Sequence, residues 1–488
     1  MKHKRDGMNQ GKRTGTSGEG GLWMRSALGA FVVGLGLTGV GVPVVLAHSS
    51  QSGSSLGSEA IQLTRLWAEG RAAAVEAHFD PAMKSAAPAT ALAGLWKELV
   101  GTKGAYQETG TVQLIPTSTA HTAVVTVDFQ KGRVGLAWSF SPTGYVTGLH
   151  LVAPPTSASS TAVWQRPSYD HPAAFRRVQV NIGSGFLRVP AQLDVPIGRG
   201  PFPGVVLIPG SGPENLNEQV SHGPEEPFRD LADGLASSGI VVLRYDKPTY
   251  ANPSAFEGAA HVARVTPFVT DIQDAQAAAV WLSHNPDVKP GRVFLLGHSL
   301  GGAMAPLVAR RVRAVEGLIL LAAPARPLAS YLVPQERYLA GLHGPLAPGE
   351  TQQLRQLAGQ VKRALSPTLT AQVPNTALPF DLPAGYWQFY QHYSATRTAA
   401  SLHLPMLLLQ GGRDYQVPPS DLRLWQTALV HHQRVTFHLF PGLDHLFVPV
   451  TGPSTPADYL RPGHVSPEVI HGIASWIHEQ SPVTHSVH

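Results

Sequence analysis

The chain has 488 residues, 43% of them apolar and 14% charged, which is enough for two domains with proper cores. It contains no cysteine, so disulfides, thiolate nucleophiles, cysteine-based zinc or iron–sulfur sites and a lipoprotein cysteine anchor are all excluded. The formal net charge of +5 is concentrated at the start, where Lys2, Lys4, Arg5, Lys12, Arg13 and Arg25 face only Asp6 and Glu19; the remainder is close to neutral and offers no basic patch for nucleic acid.

Residues 1–25 are polar and basic, and Ser26–Ala47 is uncharged and apolar before His48-Ser49-Ser50. Residues 1–47 therefore read as a signal peptide or, if uncleaved, as a membrane anchor through residues 26–47. Either places the rest of the chain outside the cytoplasm, secreted or held at the outer face of the cytoplasmic membrane. Residues 48–57 are rich in Ser and Gly and read as a linker. From Ser58 to about Val100 the spacing predicts two helices, the first carrying Leu63, Leu66, Trp67, Ala74 and Ala77, the second spanning about Thr90–Val100. The period then changes to two, with Val125, Val127 and Phe129 on one strand and Val134, Leu136, Trp138 and Phe140 on the next. Helices followed by an antiparallel meander make a small α+β domain over 58–153, with no nucleophile motif, paired carboxylates or metal spacing. Its expected role is packing or substrate presentation. Residues 154–174 open with Pro, Thr and Ser and read as a second linker.

Strand signals resume at Phe175–Ile182 and Phe186–Val195, a hairpin about Gly183-Ser184-Gly185. Strands and helices then alternate: Val205–Ile208, Phe228–Ser237, Ile240–Tyr245, about Pro267–His284, Val293–Leu296, about Leu300–Val312 and Gly317–Leu321. This succession predicts a mostly parallel sheet covered by helices on both faces. Residues 325–400 interrupt it with helix-like pieces at Gly349–Leu365 and Pro383–Tyr393. They are expected to form a lid over the strand C-termini, or else extra helical packing. Strands at Pro405–Gln410 and Arg434–Phe440 follow. The last helix starts at Ser466-Pro467-Glu468, a capping serine with proline at the first helical position. The catalytic domain on this reading covers 175–482.

Within it, Gly297-His298-Ser299-Leu300-Gly301 follows an apolar strand and precedes a small-residue helix. That is the context a nucleophile on a strand–turn–helix elbow requires. Gly53-Ser54-Ser55-Leu56-Gly57 matches the same pattern, but no strand precedes it. A serine hydroxyl needs a general base, and the base needs an orienting carboxylate. Asp414 follows the apolar strand and loop Leu407-Leu408-Leu409-Gln410-Gly411-Gly412-Arg413, and His445 follows the strand ending at Phe440. These are the candidate acid and base for Ser299. Asp444 is expected to serve its own loop, because neighbouring loop residues diverge. His298, next to the serine, is expected to shape the elbow or line the pocket. The oxyanion donors are expected to be the Leu300 amide and the Ser211 amide in Pro209-Gly210-Ser211-Gly212-Pro213, with Gly210 as the rival to Ser211.

With these motifs in place, residues 175–480 resemble an α/β-hydrolase. The segments Ile208–Pro213, Gly223–Ala232 and Leu243-Arg244-Tyr245-Asp246-Lys247 resemble a bacterial branch containing serine carboxylesterases active on short acyl esters. The resemblance implies an α/β-hydrolase fold with a helical lid, behind a cystatin-like or nuclear-transport-factor-like front domain. It also implies hydrolysis of small-molecule esters with no metal and no cofactor. Pro248 departs from the branch, which more often has a basic residue there, and this leaves substrate choice open. Asp246 and Lys247 read as structural. A thioesterase or peptidase with the same triad, and a non-catalytic envelope binding protein, are the alternatives.

Overall fold

The computed structural model describes residues 53–480, apart from 81–82, 85–86, 117–120, 142–143, 153–163, 220–223, 257–260, 343–345 and 347. The expected leader at 1–47 lies outside the described residues, as do 48–52 and 154–163 of the two expected linkers.

The front domain opens with helices α1 (Gly53–Ala68), α2 (Ala72–Ala77) and α3 (Ala89–Lys103). Two sequence expectations need correction here. The stretch expected to be a linker through residue 57 is helical from Gly53, and the second Gly-x-Ser-x-Gly match lies inside that helix. Leu56, Ala60, Leu63 and Trp67 form one buried stripe, so packing supplies what the Ser/Gly propensity lacks. The predicted first helix also does not run on to Ala77. Gly70, at φ +76°, turns the chain, and Ala74 and Ala77 fall on the separate α2. The helices cover an antiparallel meander, β1 (Tyr106–Pro116), β2 (His121–Phe129), β3 (Gly132–Phe140) and β4 (Val146–Val152). Trp67, Trp96 and Trp138 cluster in its core. The buried Trp67 and Trp138 indoles donate to Leu92 O and Thr64 Oγ1, so no indole N–H is stranded there.

The second domain is built on an eight-stranded sheet. In chain order the strands are β5 (Phe175–Ile182), β6 (Val189–Pro196), β7 (Phe202–Ile208), β8 (Val241–Tyr245), β9 (Val288–His298), β10 (Val315–Leu321), β11 (Met406–Gly411) and β12 (Val435–Phe440). Their spatial order is β12-β11-β10-β9-β7-β8-β6-β5. The six strands from β12 across to β8 run parallel, and the β5–β6 hairpin adds antiparallel at one edge. Every residue of β10 and β11 is buried, as a parallel sheet covered on both faces demands, whereas the edge strand β5 alternates. Helices α4 (Pro227–Ser237), α5 (Gln273–Ser283) and α6 (Leu300–Arg311) cross over between strands. This is the α/β-hydrolase fold.

Between β10 and β11 the insertion forms α7 (Ala329–Gly341), α8 (Pro348–Ala364), α9 (Ala384–His392) and α10 (Ala395–Ala400). Helix α7 escapes the sequence reading because Pro334, a breaker by propensity, lies inside it. The insertion shares one apolar core with the sheet through Leu332, Val361, Leu382, Trp387 and Ala399. Helix α11 (Ser420–Ala428) and the closing helix α12 (Pro467–Glu479) complete the domain. The expected linker is not free over its second half. Trp164 donates to Asp230 Oδ1 at 2.7 Å, the Arg229 guanidinium lies 3.6 Å over its ring, and Tyr169 OH donates to Val465 O at 2.9 Å.

Candidate active site

Ser299 stands between the end of β9 and the first residue of α6, at φ +50° and ψ −122°. An L-residue there is strained, at a cost of about 1–3 kcal/mol, and persists only because its surroundings over-determine it. The flanking glycines show how. A Cβ on Gly297 would lie 2.4 Å from Gly301 O, and one on Gly301 would lie 2.2 Å from Ile208 O. The turn is therefore squeezed between its own helix and the end of β7, and only glycine fits at either side.

The loops after β11 and β12 run together by the same device. A Cβ on Gly411 would lie 2.2 Å from Asp444 O, and one on Gly412 would lie 2.6 Å from the Pro441 Cα. Hydrogen bonds from Gly412 N to Phe440 O and from Arg413 N to Leu443 O complete the contact. Asp414 and His445, 4% and 3% exposed, are brought face to face, with His445 Nδ1 2.7 Å from Asp414 Oδ2. A carboxylate only accepts, so Nδ1 carries the hydrogen. Asp414 is itself fixed: Oδ1 accepts from the amides of Gln416 and Val417, and Oδ2 from Gln410 Nε2. Asp444 faces its own loop, where Oδ1 accepts from the amides of Leu446 and Val448. Burial pushes its carboxyl up to about 7 against those two amides.

The loop after β7 meets the serine. A Cβ on Gly210 would stand 3.4 Å from Ser299 Cβ. The Gly210 amide donates to Glu218 Oε1 at 2.6 Å, and its carbonyl accepts from Lys247 Nζ at 2.8 Å. Lys247 is fully buried and paired with Asp271, while Asp246 Oδ1 accepts from Leu216 N. A trans peptide is planar, so pinning Gly210 C=O toward Lys247 turns the next N–H, that of Ser211, the opposite way. Among the described residues the Ser211 amide has no protein acceptor. Glu218 escapes the sequence reading because no spacing rule connects it to Gly210 or the elbow. Asp246 and Lys247 are structural in a particular sense, since they hold this loop.

His298 is turned toward two polar partners. Its Nε2 lies 2.9 Å from His445 O, its Nδ1 lies 3.0 Å from Glu218 Oε1, and its ring centroid is 4.7 Å from that of His445. Burial alone would lower its pKa, but Glu218, then the His445 carbonyl and Asp414, outweigh it and hold the group at about 9. Glu214, in the same loop, is pushed up to about 8 by burial and by Glu218. No group of three or more metal-ligating side chains occurs among the described residues.

Residues 225–448 match the family model of the serine aminopeptidases, family S33. The chain is 32% identical over 389 residues to Esterase EstD of Thermotoga maritima, a match covering 79% of this chain and 86% of that protein. Among solved structures, the esterase domain from a Rhodothermus marinus protein is 19% identical with a TM-score of 0.37, covering 62% of this chain and 97% of that one. Est1E from Butyrivibrio proteoclasticus is 16% identical with a TM-score of 0.37, covering 62% and 96%.

Proposed function

Because this chain belongs to the α/β-hydrolase family of serine hydrolases that includes the Thermotoga maritima Esterase EstD, we propose that it cleaves carboxylic esters of short acyl chains through an acyl-enzyme on Ser299. Ser299 Oγ attacks the ester carbonyl carbon. His445 Nε2 takes the hydroxyl proton and delivers it to the leaving alcohol, and Asp414 holds the imidazole in the tautomer that leaves Nε2 free to accept. The amides of Ser211 and Leu300 receive the negative oxygen of the tetrahedral intermediate. Water, activated by the same imidazole, then releases the acid. The observation that carries this reading is the buried His445–Asp414 pair at 2.7 Å on the sheet edge where Ser299 holds its strained turn. The engagement of the Gly210 amide by Glu218 favours Ser211 over Gly210 as the second donor.

A second reading is amide or thioester cleavage with the same residues; the description of the matched family model, an aminopeptidase, favours amides. The test is turnover of p-nitrophenyl esters from acetate to laurate by the full chain beside Ser299→Ala. Rates should peak at short chains and fall by at least about 10⁴-fold in the variant. Retained activity in Ser299→Ala would refute the nucleophile. Ester, thioester and amide substrates sharing one acyl group then separate the two readings.

A further inference from the structure

His298 and Glu218 are buried ionisable residues with no part in the chemistry above, 5% and 3% exposed. Their contacts nevertheless form one chain across the site. His445 C=O meets His298 Nε2 at 2.9 Å, His298 Nδ1 meets Glu218 Oε1 at 3.0 Å, and that same oxygen accepts the Gly210 amide at 2.6 Å. One end of this chain is the backbone of the candidate base. The other is the peptide immediately before the candidate oxyanion donor. His298, within it, is peptide-bonded to Ser299.

We propose that His298 and Glu218 are positioning residues, a buried brace that holds the His445 loop and the Gly210–Ser211 peptide in one frame about the nucleophile. The proposal rests on the assignment of Ser299, His445 and Ser211 made above. Gly210 has no side chain to restrict its backbone, so its two flanking peptides keep their orientation only if both are held. Lys247 holds the following peptide by its carbonyl, and Glu218 holds the preceding one by its amide. Without Glu218 the Gly210 amide is left unpaired in a buried site, and the peptide is driven to rotate toward another acceptor. The groups facing His298 are Glu218, Glu214, Asp414 and the His445 ring; Nε2 lies against the His445 carbonyl and Nδ1 at 3.0 Å from the Glu218 carboxylate.

Glu218→Gln preserves both contacts made by Oε1, because its carbonyl oxygen can accept the Gly210 amide and an Nδ1–H of His298. Glu218→Ala preserves neither. With p-nitrophenyl acetate and the full chain, Glu218→Ala should lose about 10–100-fold in kcat, the scale of a misplacement near 1 Å, with KM within about twofold. Glu218→Gln should return to within about threefold of the parent, and phosphonylation of Ser299 by a fluorophosphonate should slow in parallel with kcat. A parental kcat in Glu218→Ala, an effect confined to KM, or a Gln variant as impaired as the Ala variant would overturn the brace. If Glu218→Ala does not fold, His298→Phe decides. It keeps the ring and removes both nitrogens; a kcat loss of at least about tenfold supports the brace, and a parental kcat overturns it. Ser299→Ala, measured alongside, separates the claims. If that variant still hydrolyses ester, the nucleophile assignment falls; if it is inactive while Glu218→Ala turns over like the parent, only the brace falls.

Discussion

His445 Nδ1 lies 2.7 Å from Asp414 Oδ2, a contact between residues 31 positions apart that two adjacent strands and two pairs of backbone-to-backbone loop contacts bring into register. The carboxylate also accepts two backbone amides and one side-chain amide, so it is fixed before the imidazole reaches it. Such a pair orients the imidazole through the hydrogen on Nδ1.

Asp414→Asn tests that orientation. The retained carbonyl oxygen can still accept from the Gln416 and Val417 amides, so the loop should keep its shape. The new NH₂ would face Nδ1, however, and favour the tautomer with its hydrogen on Nε2. We expect kcat to fall by about 10⁴-fold with little change in melting temperature. A loss below tenfold, measured on p-nitrophenyl acetate, would remove Asp414 from the reaction.

Two glycine substitutions should act in opposite directions. A Cβ on Gly301 would stand 2.2 Å from Ile208 O and 2.5 Å from Pro209 O, both backbone atoms that cannot swing aside. Gly301→Ala should therefore destabilise the catalytic domain by about 3 kcal/mol and depress activity. Gly94 is exposed on α3, and a Cβ added there would have nothing within 4 Å. Gly94→Ala should stabilise the front domain by about 0.5–1 kcal/mol. Urea titrations of the two variants check both signs.

Glu225 gives stability a pH dependence. Burial, then Asp444, Asp230 and Asp458, push its carboxyl up to about 9. Between the ordinary glutamate range and about 9, the folded state holds a proton that the unfolded chain has released, so stability falls as pH rises through that window. Asp444, held up to about 7, acts in the same direction over the lower part of it. Glu225→Gln should melt near the parent temperature at pH 5 and above it at pH 9. Parallel melting curves for the two proteins across that range would contradict the assignment.

The amino-acid sequence by itself determined the strand–helix succession, the elbow at Ser299, and Asp414 and His445 as residues just past strand ends. All of these are local: apolar runs, glycine pairs and turn chemistry act over a few residues. The same local reasoning erred where tertiary burial outweighed propensity. Leu56 and Trp67 draw a Ser/Gly segment into a helix, α7 forms around Pro334, and Trp164 fastens a supposed linker to Asp230. The choice of Asp414 over Asp444 was already legible in the sequence; only the tertiary structure decided that Glu218 takes the Gly210 amide and that His298 reaches the His445 carbonyl. These contacts join loops from different strands. Their geometry depends on how closely backbones approach across the sheet edge, and no periodicity in the chain encodes that distance.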